Sequence, residues 1–153
     1  MITIHSILGS RLYLHPDPRK IVHFIGGFGF GSCPALFYHQ LAHKLASKGY
    51  SVILHPFPFN PFKPDHWSLA ISLYRRLKIL QLKELPKLIS NSTFLEARNH
   101  VWLGHSLGCK LIELLEILTL EEPARSQALK SILSPSETES INSATSLENW
   151  QAP

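Results

Sequence analysis

Val101-Trp102-Leu103-Gly104-His105-Ser106-Leu107-Gly108-Cys109-Lys110-Leu111 decides the reading of this chain. Three apolar residues run into Gly-His-Ser-Leu-Gly, and an amphipathic stretch follows, with Leu111, Leu115 and Leu118 recurring at helical spacing. A short buried strand that turns at once into a helix fits this pattern. The G-x-S-x-G spacing puts the serine at the apex of the turn, in a backbone conformation that ordinary residues avoid. Side chains two before and two after the apex would crowd the turn, which suits Gly104 and Gly108. The helix then aims its free N–H groups at the serine hydroxyl. Ser106 is therefore the candidate nucleophile, with the Leu107 N–H as one donor to an oxyanion. The alternative is a glycine-flanked turn without chemistry, and the flanking strand and helix favour the functional reading.

Working outward, Ile21-Val22-His23-Phe24-Ile25 is β-branched and mostly apolar, as a buried strand should be. It runs into Gly26-Gly27-Phe28-Gly29-Phe30-Gly31. The Phe28 N–H is the candidate second oxyanion donor, with Gly27 as fallback; Gly26, Gly27 and His105 are candidate substrate contacts. His105 itself is expected to point away from the hydroxyl and pack. A dinucleotide-binding loop would need a third glycine where Ser32 stands, and no acidic residue between Cys33 and Pro64 could hold a ribose.

Thr3 to Leu8 and Arg11 to Leu14 read as strands around a Gly9-Ser10 turn. A helix is expected from near Pro34 to Gly49, with Phe37, Leu41 and Leu45 on one face. Ser51 to Leu54 is the next strand. Asp65 should cap a helix whose stripe is Trp67, Ala70, Ile71, Tyr74 and Leu77, with Pro86 ending or kinking it. Leu129 to Leu133 is a weak strand candidate. From Ser134 the chain is Ser-rich, polar and expected to be disordered. The order of elements predicts an α/β domain over residues 1–133, a mostly parallel sheet with helices on both faces, followed by a tail at 134–153.

A serine nucleophile needs a base, and an acid to orient that base. All nine histidines, 5, 15, 23, 39, 43, 55, 66, 100 and 105, precede Ser106, as do both aspartates, Asp17 and Asp65. The serine-acid-histidine order usual for this elbow is thus missing. Asp65-His66 is the one local acid–base pair, better read as a helix cap beside a histidine. Phe28, Phe30, Phe57, Phe59, Phe62 and Trp67 line an acyl pocket or, more simply, cover the sheet edge as core.

The net charge is +4. Residues 1–110 hold 13 Lys/Arg against 4 Asp/Glu, and residues 111–153 hold 2 against 7. The cations are scattered rather than clustered, so a solvated surface fits better than a nucleic-acid partner. Cys33 and Cys109 lack metal-ligand or framework spacing and read as reduced, buried small residues. No cofactor and no metal is implied. The absence of a signal pattern and of a long apolar run points to a cytoplasmic protein without a transmembrane segment.

Val22-His23-Phe24-Ile25-Gly26-Gly27-Phe28, Lys48-Gly49-Tyr50-Ser51-Val52-Ile53, Pro64-Asp65-His66-Trp67 and Gly104-His105-Ser106-Leu107-Gly108-Cys109-Lys110 occur in this order. Together they resemble an α/β-hydrolase-like family of unknown function found in cyanobacteria and plant chloroplasts. The resemblance covers roughly Lys20 to Leu120. It implies an α/β-hydrolase fold, a site centred on Ser106, and a plastid stroma for a plant relative. The polar sequence after Leu120 departs from it, so the chain is expected to carry the N-terminal part of the fold, truncated by a frameshift or early stop. Two functions follow. One is a serine hydrolase of esterase, thioesterase or lipase type, acting on a small acyl ester or thioester. The other is an inactive binding or scaffold protein. An incomplete sheet would also leave an edge for a partner to cover.

Overall fold

The computed structural model describes residues 1–58 and 65–146. Five strands form one mixed sheet: β1 (Thr3–Ile7), β2 (Ser10–Leu14), β3 (Ile21–Ile25), β4 (Ser51–His55) and β5 (His100–Gly104), in the order β1-β2-β4-β3-β5. β3 pairs parallel with β4 and β5, while β1–β2 and β2–β4 are antiparallel. The α/β class holds. The sheet is less parallel than expected, because the N-terminal hairpin adds two antiparallel pairings. That hairpin turns at Leu8-Gly9 (φ 51° and 77°), one residue earlier than the sequence suggested. Positive φ at both turn residues matches the twist of the flanking strands.

Helices pack on both faces. On one, α1 (Pro34–Phe37) and α2 (His39–Ser47) pack over Val22, Phe24, Val52 and Leu54. β5 is not the buried strand that its sequence suggests: Val101 and Leu103, beside Val22 and Phe24 on this side, stay exposed at the sheet edge. The expected single helix is broken at Tyr38, and its buried residues are Ala42 and Ala46. Phe37 and Leu41 are exposed instead. Small residues let α2 lie close to the sheet, which turns the larger ones outward. Gly49 (φ 90°) closes this helix, as expected.

On the other face lie α3 (His66–Ile79) and α5 (Leu107–Thr119). Between them come a π-helical turn at Leu80–Glu84, α4 (Leu85–Leu88) and two short 3-10 turns. Pro86 falls at the start of α4, so it kinks the helical run rather than ending it. Ala70, Leu73, Tyr74, Leu111, Leu115 and Leu118 form the core with Ile25 and Phe57. Each fully buried leucine here contributes about 1.5–3 kcal/mol.

The segment after Leu120 differs most from expectation. Leu129–Leu133 is not a strand: α6 (Ala124–Ile132) occupies it, burying only Leu129. Pro135–Thr145, expected to be disordered, forms α7. Ser134 and Glu137 make a reciprocal capping box at its start. Ile141 enters the core, and Arg75 on α3 donates twice to the Ala144 carbonyl, at 2.9 and 2.6 Å. One apolar anchor and two capped ends hold an otherwise polar helix.

Candidate active site

The chain leaves β3 toward the α1/α2 face and leaves β5 toward the opposite face. Adjacent parallel strands whose connections part in this way open a crevice at their carboxyl ends, where ligands bind in such sheets. Here that crevice is made of Gly26-Gly27-Phe28 from β3 and His105-Ser106 from β5.

Ser106 is exposed and has φ 54°, ψ −120°. A side chain in this region costs about 1–3 kcal/mol, so the surrounding structure must impose it. The His105 N–H donates to the Ile25 carbonyl (3.1 Å), and the Cys109 N–H donates to the Ser106 carbonyl (3.0 Å). Gly108 shows why the turn is so tight. A Cβ there would lie 2.0 Å from the Ile25 carbonyl oxygen. The two glycines relieve different contacts: Gly108 packs against the end of β3, and Gly104, at the end of β5, against Cys109 and Ile112 of α5. The Leu107 N–H, at the first residue of α5, has no intrahelical acceptor and points with the helix start.

The β3 loop lies against the elbow. A Cβ on Gly27 would sit 3.2 Å from the Ser106 Cβ and 2.8 Å from His105 Nδ1. Tyr38, at the break between α1 and α2, joins the two. Its hydroxyl accepts the Gly27 N–H (3.0 Å) and lies 2.8 Å from His105 Nδ1. This engages Gly27 and removes it as the fallback oxyanion donor. It also shows what His105 does. The residue is exposed and tied to Tyr38, and it is not packed in the core. Gly26 is held from the other side, because a Cβ there would meet the Tyr38 ring at 2.6 Å. Tyr38 was not singled out from the sequence; a polar-tipped aromatic at a helix break carries no motif.

Among the described residues, no side chain hydrogen-bonds the Ser106 hydroxyl. Asp65 caps α3, accepting the Ser68 N–H (3.1 Å) and hydroxyl (2.8 Å). Those bonds hold its carboxyl below the usual carboxylate range, and it makes no acid–base pair with Ser106. Of the aromatics, Phe57 is core, wedged against Gly31, and Trp67 packs beside it. Phe28 and Phe30 are exposed. Phe59 and Phe62 lie outside the described residues. Cys33 and Cys109 are exposed, not buried. No group of three or more His, Cys, Asp or Glu among the described residues is arranged to hold a metal.

Three histidines do meet, inside the sheet rather than at the crevice. His23 of β3 lies between His55 of β4 (Nδ1 to Nε2, 2.9 Å) and His100 of β5 (Nε2 to Nδ1, 2.7 Å). Ser10 Oγ is 3.4 Å from the other nitrogen of His55, and Trp102 tilts over His23 at 5.1 Å. His100 Nε2 is buried and makes no well-aligned hydrogen bond, although the backbone of Phe94 and Leu95 lies close enough to raise its pKa against the effect of burial. Burial, and then the neighbouring histidines, hold His23 well below its ordinary pKa. Burial, and then the Arg76 guanidinium, bring His55 down to about 3. His100 is lowered by burial.

The comparison with protein families matches residues 4–141 with the family described as protein of unknown function (DUF1350). The chain belongs to that family. The DUF1350 match runs past Leu120, through α6 and into α7. The polar C-terminal segment therefore does not depart from the family at Leu120, as the change in charge had suggested. No curated protein matches the DUF1350 chain. No helix among its described residues is long and apolar enough to cross a membrane.

Proposed function

We propose that this chain is a serine hydrolase of the α/β-hydrolase type, with Ser106 attacking the carbonyl of an ester or thioester. The backbone of Ser106 carries the reading: φ 54°, ψ −120° at an exposed apex between a parallel strand and a helix. Strain of this kind concentrates at functional sites, and here it lifts a hydroxyl to the mouth of the crevice. The serine oxygen adds to the acyl carbon. The resulting oxyanion rests on the Leu107 and Phe28 N–H groups; the proton lost by the serine reaches the leaving group, which departs as the alcohol or thiol, and water then releases the acyl group as the carboxylic acid and restores the serine hydroxyl. Gly26, Gly27 and His105 form the wall beside the acyl carbon.

The serine proton needs an acceptor, and the unpartnered hydroxyl favours a second reading: a hydrolase-like binding scaffold without turnover. In that case the strained turn is an inheritance that no reaction uses. Labelling the purified chain with a fluorophosphonate separates the two, with Ser106→Ala as control. Covalent labelling that disappears in Ser106→Ala supports the hydrolase, and His66→Ala and His105→Ala then locate the base. Absence of labelling, beside a control hydrolase that labels under the same conditions, refutes it in favour of the scaffold.

A further inference from the structure

We propose that the face formed by the β3 loop, α1 and α2 docks on an anionic lipid surface, from which Ser106 draws its acyl substrate. The docking stands on the surface itself; the substrate rests on the hydrolase reading above. Four large apolar side chains stand out on this face: Phe30 (50% exposed), Leu36 (73%), Phe37 (52%) and Leu41 (40%). The Phe30 and Phe37 rings meet edge to face at 4.8 Å, so the loop and α1 present one patch. Water-facing clusters of this kind mark binding surfaces.

The charge beside the patch says what binds. Lys44 on α2 and Lys48 at its C-terminal cap follow Leu41 at three and seven residues, and all three are exposed on one side. No acidic residue occurs anywhere from Pro18 to Pro64. An apolar stripe that grades into cations, with no anion to repel headgroups, fits an interface of acidic lipids. A protein partner of acidic character would match the lysines but leave the protruding Leu36 and aromatic pair without a medium to enter. The patch also shares its loop with the site, because Gly27 lies directly against Ser106. A lipid held here needs to lift its acyl carbonyl only across that loop to reach the serine.

Co-sedimentation of the intact chain with phosphatidylcholine vesicles, with and without phosphatidylglycerol, tests this. Binding is expected to the mixed vesicles and to weaken with salt. Lys44→Glu with Lys48→Glu should lower the partition by about 25-fold or more. Phe30→Ser with Phe37→Ser should lower it by about tenfold or more. Circular dichroism confirms that each variant is folded; the altered side chains are all exposed. Failure to bind anionic vesicles, or equal binding by both folded variants, overturns the proposal. So does a dimer in sedimentation velocity that the Phe30/Phe37 variant dissolves while vesicles are ignored, since the patch then belongs to a second copy. Ser106→Ala should dock unchanged. Docking without fluorophosphonate labelling refutes the hydrolase and the substrate half of the proposal; labelling without docking refutes the surface.

Discussion

Lowering the pH from 7 to 5 puts the buried histidines under load. In the unfolded chain each imidazole titrates near 6.5, so at pH 5 it is about 97% protonated. In the folded protein burial keeps His55 neutral down to about 3 and lowers His23 in the same direction. The unfolded state therefore binds more protons throughout this interval. Their stabilisation is complete above pH 6.5 and is lost as the pH falls from there toward 3. At pH 5 the loss at His55 is about 2 kcal/mol, a value fixed by the unfolded pKa because the folded one is about 3. That is a large share of a usual domain stability of about 5–15 kcal/mol, and the lowered pKa of His23 acts in the same direction. For a chain of this length His55 alone is a fall of about 4–8 °C in Tm. Thermal unfolding followed by circular dichroism at pH 7, 6 and 5 reads it directly. His23→Leu with His55→Phe is expected to flatten the pH dependence, whatever its effect at pH 7. A Tm at pH 5 within about 2 °C of that at pH 7, or an undiminished fall in the double variant, would refute the reasoning.

Other substitutions test the elbow and its supports. Ser106→Gly should raise stability by about 1 kcal/mol in urea unfolding, because glycine accepts positive φ without strain, while abolishing any fluorophosphonate labelling. Gly108→Ala should cost about 1–3 kcal/mol or more, since its methyl carbon would fall 2.0 Å from the Ile25 carbonyl oxygen and β3 must move; an unchanged urea midpoint would contradict that close approach. Tyr38→Phe deprives the buried Gly27 N–H of its acceptor, so a loss of about 1 kcal/mol and faster hydrogen exchange at Gly27 are expected.

The strands and the elbow were legible because their signals are local. Ile21–Ile25 is a compact β-branched run, and Gly-His-Ser-Leu-Gly specifies its own turn. Ser134 and Glu137 also spell a capping box, yet the residues around them are polar and carry no apolar stripe. The helix exists because Ile141 and Arg75 reach across the fold. Leu129–Leu133 fits strand and helix periods alike, and only tertiary packing of Leu129 decides. In α2 the larger residues looked like the core face; the close approach of helix to sheet selected Ala42 and Ala46. The histidine group and Tyr38 were illegible for one reason. Their partners lie on other strands and loops, so no spacing along the chain reveals them.

The three imidazoles also share a direction. A neutral imidazole carries one N–H, so His23 must donate to one neighbour and accept from the other. If it donates to His100, then His55 donates to His23, Ser10 donates to His55, and the His100 N–H is left facing the backbone of Phe94 and Leu95. If it donates to His55, every tautomer reverses and His100 is left with an unused lone pair. No ring can change tautomer alone without setting two lone pairs or two hydrogens face to face. Ser10 on β2 and His100 on β5, about 14 Å apart across three strand spacings, are thereby two ends of one polarised chain. A change in hydrogen bonding at either end selects the arrangement at the other.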